Sequence, residues 1–392
     1  MNTPYGMTYM GKTNEGYNYQ DYETELPQER PTLKSLIGVG DCIYDILTEV
    51  NKDFIMKYNL DSNNQLFYQQ NDKIFDEIER RPFVRYVPGG SIQNTLRVLS
   101  CRLNIENHRN NFLSSNNNIN RKNYKISMLG SVGDDKYSYK IYNSLVDCMV
   151  EPILKSVQNM KTSRCGICMN NKKAYTITEI NASKHLDEEF ISQNLDDKIL
   201  NHDCLLIGGH FLKYHFEICK KLCEAFYNDQ KKIILTLSDI NFTEQDRLNF
   251  VEIGKYADII YGNIQKAEEL VELKGADISK IIIKICQMLI EKDRTIVLTH
   301  DKEGAYGCIF DYKRNNIDYI LQCFPQKIKP EEIVDEIGAG DSFLGGFLAE
   351  YMKGSSLNDC LKIGNETANV ILHNCACTFP KNFEVKKYNP NH

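Results

Sequence analysis

From Leu33 onward the chain alternates short apolar runs with longer stretches in which apolar residues recur at helical spacing. SLIGV, CLLIGG, KIILTLS, ADIIYGN and RTIVLTH are such runs, each ending near Gly, Asp, Asn or His. Runs that are apolar throughout fit strands covered on both faces. Strands alternating with helical segments predict an α/β fold, a mostly parallel sheet with helices on either side. The stretch TSRCGICMNNKKAYTITEI breaks this rhythm. It alternates with period two and predicts an antiparallel pair joined by MNNKK, outside the parallel sheet as an insert or lid. Residues 1–32 lack apolar periodicity and predict a flexible tail, so that a single large domain spans 33–392. Residues 104–123 hold nine asparagines and predict a disordered surface insertion.

Charge narrows the function classes. The 392 residues carry 47 Lys and Arg against 53 Asp and Glu, a net charge of −6, with the lysines scattered rather than gathered in a stripe. A nucleic-acid polymer is a poor partner for such a surface. No apolar stretch approaches the roughly 20 residues that span a bilayer, and the polar N-terminus does not read as a signal peptide. A soluble, cytoplasmic protein is expected. The fourteen cysteines sit within apolar runs and predict buried, reduced thiols. The single C-x-x-C, Cys165 to Cys168, lies on a strand-like segment that turns the two side chains to opposite faces, a poor metal site.

Three segments carry candidate chemistry. In DEIGAGDSFLGGFLAEYM, Gly338, Ala339 and Gly340 leave backbone N–H groups free to converge on an anion where an apolar helix begins. Asp341 follows directly, an ionised carboxylate able to take a proton from a hydroxyl. In VPGGSIQNTLRVL, Gly89 and Gly90 open a second helix whose first turn carries Asn94. In SLIGVGDCIYDIL, Asp41 and Asp45 stand near the end of the first strand, where open α/β sheets deliver acids to a cleft. Taken alone, G-A-G-D is more often a tight turn with a capping Asp. No Lys-bearing phosphate loop of the G-x-x-x-x-G-K-[ST] type is present.

Together the GG-x-x-x-N of Gly89, Gly90 and Asn94 and the G-A-G-D of Gly338 to Asp341 resemble the ribokinase-like (PfkB) family of sugar and nucleoside kinases. VNKDFIMKYNL, PGGSIQNTLRV, GAGDSFLGGFL and CTFP extend the resemblance over about Leu33 to Pro380. The resemblance implies a ribokinase-like fold with a small β-sheet lid built from about 47–88 and 161–180. It implies ATP and Mg²⁺ as cofactors and transfer of the γ-phosphoryl to a ribose 5′-hydroxyl. Adenosine is the expected acceptor, giving AMP and ADP in purine salvage, and kinases of this kind are often monomers. By the same resemblance Asp341 is the base and Gly338, Ala339 and Gly340 form the anion hole. Asp45, Gly89, Gly90, Asn94 and Asp41 meet the ribose, and Phe67, Cys165, His210 and Phe211 enclose the base. Asn263, Lys266, Thr299, Asp301, Gly304, Asp335 and Asn365 fall in the ATP and magnesium-phosphate region, with no direct metal ligand.

Five positions depart from the family pattern. Asp41 replaces the usual Asn, and Lys266 replaces the Glu of N-x-x-E, with Glu268 or Glu269 as substitutes. Glu336 stands where Thr is usual, Asp301 where a glycine lines the nucleotide, and Arg164 in the lid where small residues are common. His210 could stack on the base, bond to it or cap the site. These departures leave two alternatives to an adenosine kinase activity: a kinase for another nucleoside or sugar, and a weak or inactive nucleoside-binding relative.

Overall fold

The computed structural model describes residues 7–13, 16–20, 32–61, 66–68, 72–113, 124–171, 173–238, 240–289 and 291–378. In chain order the strands are β1 (Met7–Thr13), β2 (Gly16–Gln20), β3 (Ser35–Val39), β4 (Ile43–Glu49), β5 (Leu66–Tyr68), β6 (Arg85–Gly89), β7 (Lys125–Gly133), β8 (Glu151–Val157), β9 (Ser163–Asn170), β10 (Lys173–Glu179), β11 (Cys204–Ile207), β12 (Lys232–Thr236), β13 (Ile259–Asn263), β14 (Arg294–Thr299), β15 (Ala305–Asp311) and β16 (Asn316–Cys323). Among the described residues they form two sheets. The larger runs β2-β1-β16-β15-β14-β13-β12-β11-β3-β7-β8 and the smaller β5-β10-β9-β4-β6.

From β14 to β8 the large sheet is parallel throughout. Its strands are apolar on both sides because both sides are covered. Ile37, Leu205, Ile233 and Ile260 enter a core with Leu222, Phe226, Phe250 and Ile285. Their neighbours Leu36, Leu206, Ile234 and Ile259 enter the opposite core, with Leu96, Leu99, Phe347, Leu348 and Leu361. The second core carries the helices Ser91–Leu113, Ala339–Lys353 and Leu357–Leu372, which also bear the candidate chemistry.

The period-two stretch forms the antiparallel pair β9–β10, within the smaller sheet. Cys165 and Cys168 pack into different clusters on its two faces. The chain passes from the large sheet to the small one at Gly40–Cys42, between β3 and β4, so Asp41 stands at the junction.

Two sequence expectations are corrected. Residues 7–13 and 16–20 are not a loose tail: β1 pairs antiparallel with β16 and β2 with β1. An edge strand offers a row of unpaired backbone groups, and that backbone pairing leaves no mark in apolar periodicity. The asparagine-rich stretch is not wholly irregular either, since 104–113 continue the helix Ser91–Leu113. Each extra helical residue adds a hydrogen bond once the helix is nucleated, which outweighs the weak helix propensity of Asn. Residues 114–123 lie outside the described residues, as do 1–6, 14–15 and 21–31.

Candidate active site

Two helix N-termini meet at the site. The helix Ser91–Leu113 follows Gly90, whose φ is +88° and where a Cβ would lie 2.5 Å from the Asp41 carbonyl oxygen. The helix Ala339–Lys353 follows Gly338, with φ +77° and 2.5 Å between an added Cβ and Cys377 Cβ. Both turns therefore require glycine. Gly340 differs, because its added Cβ would meet only Tyr261 Oη, at an ordinary 3.6 Å. The residue is exposed, and a bare Cα there keeps the first turn of the helix uncovered. The two helices approach closely at Gly345, where a Cβ would lie 2.7 Å from Val98 Cγ1 and 2.9 Å from the Thr95 carbonyl oxygen.

That approach brings the first helix onto Asp341. Ser91 Oγ donates to Asp341 Oδ1 at 2.6 Å, and Asn94 Nδ2 donates to Oδ2 at 2.9 Å. Thr95 Oγ1 donates to the Asp341 carbonyl at 3.2 Å. Donation to both carboxylate oxygens favours the ionised form. The Asn94 amide, expected to meet a sugar, is committed here to Asp341 and to Arg97, whose guanidinium donates to Asn94 Oδ1 at 3.3 Å. Arg97 is buried and also donates to the carbonyls of Pro88 (3.0 Å) and Cys377 (3.5 Å). Tyr261 Oη donates to the Gly340 carbonyl at 2.7 Å, and its ring stacks on Phe343. Burial, with the Asp341 charge, holds that phenol well above its usual range, so it remains a donor.

Beside this centre lies a cleft of about 370 Å³ whose lining includes Asp41, Ile43, Ser91, Thr178, His210 and Phe211. Asp41 and His210 are buried, with Asp41 Oδ2 and His210 Nδ1 2.6 Å apart. Asp41 Oδ1 is buried without a hydrogen-bond partner. Phe211 stacks on His215 at 4.3 Å, and the His210 ring meets Tyr214 edge-on. Cys165 Sγ accepts from Thr178 Oγ1 at 3.2 Å. Asp45 is buried against Gly89, where a Cβ would lie 2.1 Å from its Oδ2. Burial pushes the Cys377 thiol up to about 12, and the charges of Asp341 and Asp45 both add to that rise. The backbone of Phe67 lies in β5; its side chain is outside the described residues.

Of the residues expected in the ATP region, Asn263 and Thr299 are register partners at the ends of β13 and β14. Asn263 Oδ1 accepts from the Lys266 amide at 2.8 Å, capping the helix Ile264–Val271. Lys266 Nζ lies 3.0 Å from each oxygen of Glu269 and 2.9 Å from Asn241 Oδ1, so its charge is answered one turn along. Glu268 instead accepts from the Gly275 amide. Asp301 has φ +39°, a backbone conformation that favours glycine. Gly304, at φ +86°, would place a Cβ 2.1 Å from the Cys323 carbonyl oxygen, which also accepts from Asn365 Nδ2 at 2.8 Å.

Asp335, an expected site residue, and Arg164, one of the departures from the family pattern, are tied into the framework. Asp335 is buried and accepts from the amides of Ile337 (2.9 Å) and Ala376 (2.8 Å), fastening the anion-turn loop to the chain near Cys377. Arg164 is buried and turned to the other face of the lid sheet. There it bonds Glu179 (2.7 Å) and Glu79 (3.4 Å) and lies over the Phe75 ring. Glu336 is exposed. Ser91, Thr95, Arg97 and Tyr261 escaped the sequence reading. Ser91 follows a glycine pair at a helix start, a position that favours serine, and Arg97 is one turn from Asn94, whereas nothing around Tyr261 distinguishes it from a core residue.

The sequence model of the pfkB family of carbohydrate kinases matches residues 54–382. The chain belongs to this family. As a pfkB-family kinase it is similar to adenosine kinase 2 of Arabidopsis thaliana, 25% identical over 354 residues that cover 88% of this chain and 96% of that protein. Among solved structures it is similar to Schistosoma mansoni adenosine kinase in complex with 2-fluoroadenosine, with TM-score 0.75 and 19% identity over 88% of this chain and 97% of that one. Anopheles gambiae adenosine kinase in complex with P1,P4-di(adenosine-5) tetraphosphate matches with TM-score 0.74 and 22% identity, covering 88% and 98%. The fold of this kinase is thus ribokinase-like, with the small sheet set beside a mostly parallel one.

Proposed function

We propose that this kinase transfers the γ-phosphoryl of ATP to the 5′-hydroxyl of a nucleoside, with adenosine the first candidate. The observation that carries the reading is the placement of Asp341: a carboxyl group on the first helical turn behind Gly338, its side chain bonded to a residue that lines the cleft. An acceptor hydroxyl entering from the cleft gives its proton to Asp341 as its oxygen attacks phosphorus. The backbone N–H groups of 338–340 meet the charge that develops on the transferring group. ATP approaches from the side of Asn263, Thr299 and Gly304. Asp45 takes the ribose hydroxyls, and Phe211 with His210 offers ring faces and edges to the base. The small sheet acts as a lid over the acceptor.

Magnesium would come to this site as the companion of ATP's phosphates, held by them and by waters rather than by a protein cradle. It usually retains waters and takes few protein ligands. Among the described residues no three His, Cys, Asp or Glu side chains converge as a metal cradle, and the Glu269 carboxylate is paired with Lys266. Bound there, the ion would neutralise phosphate charge.

The names of the relatives support adenosine as acceptor. A second reading, another nucleoside or a sugar, is favoured by the buried Asp41–His210 pair in the cleft. The test is ADP release by the full chain with MgATP and a panel of ribosides, deoxyribosides and ketoses. Release above the acceptor-free control with adenosine alone supports the first reading, and release only with another acceptor supports the second. No release with any of them ends both.

A further inference from the structure

The function proposed above gives Ser91 no chemical task of its own, yet its side chain is bonded directly to Asp341. Its hydroxyl stands 2.6 Å from Asp341 Oδ1 and lines the cleft from which an acceptor would come. Three features hold it there. Gly90 bends the chain so that Ser91 opens its helix. Gly345 lets the two helices close to contact, and Thr95 ties the same helix to the Asp341 backbone. The helix is long, so the serine hangs from a rigid element rather than a loop.

We propose that Ser91 is a positioning residue that sets the orientation and proton affinity of Asp341. A hydroxyl has one proton to give, and an ionised carboxylate can only accept, so the bond runs from Ser91 to Oδ1. Asn94 donates to the other oxygen, and the two donors together fix the plane of the carboxylate. Each carboxylate oxygen has two lone pairs, so Oδ1 can keep Ser91 and still receive a second hydroxyl from the cleft. When the acceptor's O–H bond breaks and its new P–O bond forms, the bond from phosphorus to the ADP oxygen breaks, the acceptor's proton goes to Asp341 and the serine proton stays on Ser91 Oγ. A donor to the charged form keeps a carboxylate ionised at lower pH. Ser91 therefore exchanges some basicity for a larger ionised fraction and a fixed direction of attack.

This inference rests on Asp341 being the base, and the experiment separates the two. Full-length wild type, Ser91→Ala and Ser91→Thr are compared by the pH dependence of kcat/KM. In parallel the Asp341 carboxyl titration is followed by ¹³C NMR, assigned with Asp341→Asn. The expected result is an Asp341 titration in Ser91→Ala about one unit above wild type, a typical size for one lost donor. The acid limb of kcat/KM moves with it, and Ser91→Thr, which keeps the hydroxyl, returns both toward wild type. An unmoved titration in a folded Ser91→Ala overturns the proposal, as does a shift that Ser91→Thr leaves in place. Absence of turnover in wild type defeats the kinase reading, while the NMR titration still decides whether Ser91 governs Asp341.

Discussion

At Gly338 and Gly340 the same residue type serves two different needs, and substitution separates them. Gly338→Ala combines a left-handed φ with a clash against Cys377, so stability falls by about 1–3 kcal/mol and the anion turn deforms. Gly340→Ala meets only an ordinary contact, so its unfolding midpoint should stay near wild type. Thermal unfolding of both variants, with kcat measured beside it, checks the contrast. Asp341→Asn should retain nucleoside affinity in calorimetry and lose about 10²–10⁴ in kcat, the usual weight of a general base. A carboxamide in place of Asp341 would also meet Asn94 Nδ2 with either an oxygen or an unfavourable second NH₂, so the amide chooses one orientation. Arg97→Met tests the next link. With the guanidinium gone Asn94 can flip, and kcat should fall more than KM rises, since Arg97 holds the amide that donates to Asp341.

The helix pair Ser91–Leu113 and Ala339–Lys353 acts as a unit. Gly345→Ala would push against Val98 and the Thr95 carbonyl, and a backbone atom cannot swing aside as a side chain can. A stability loss of about 1–3 kcal/mol is expected in denaturant melts. A larger fractional loss in kcat should accompany it, because the same spacing sets the Ser91 and Asn94 bonds to Asp341. In the lid, Arg164→Ala would leave Glu179 buried and unpaired, at a cost of about 3–5 kcal/mol. Protease sensitivity confined to the small sheet is the readout. Much of this scale was legible in the sequence. Apolar runs gave the parallel strands, period-two alternation gave β9–β10, and glycines beside apolar helical faces marked both site helices. The hairpin of β1 and β2 was not legible, because backbone pairing to an edge needs no side-chain pattern. Nor was the closeness of Ser91 to Asp341: the two lie 250 positions apart and meet through tertiary packing of the helix pair.

Across the whole molecule the acid response follows from buried histidines. Burial lowers the proton affinity of His202, which sits with Nε2 at Ser127 and Nδ1 at the Ile199 carbonyl. His215 is lowered for the same reason. The unfolded chain, with His near 6.5, then binds more protons than the native one, so stability is full above that pH and declines as pH falls below it. His202→Gln removes one such proton, and urea midpoints measured from pH 7.5 to 5.5 should fall less steeply than those of wild type. The departures Lys266 and Arg164 also make sense at this scale. Each is neutralised by neighbours outside the acceptor cleft, so neither change of residue type reverses the field where phosphate would sit.

The clasp between Asp335 and the Ala376 amide has a practical outcome for anyone shortening the protein. A chain ended after His373 would retain, among the described residues, every strand of both sheets and the helix Leu357–Leu372, and its circular dichroism should look intact. It would nevertheless have discarded the stretch against which the glycine turn before Asp341 is braced, so on the function proposed above phosphorylation would vanish from a protein that still folds.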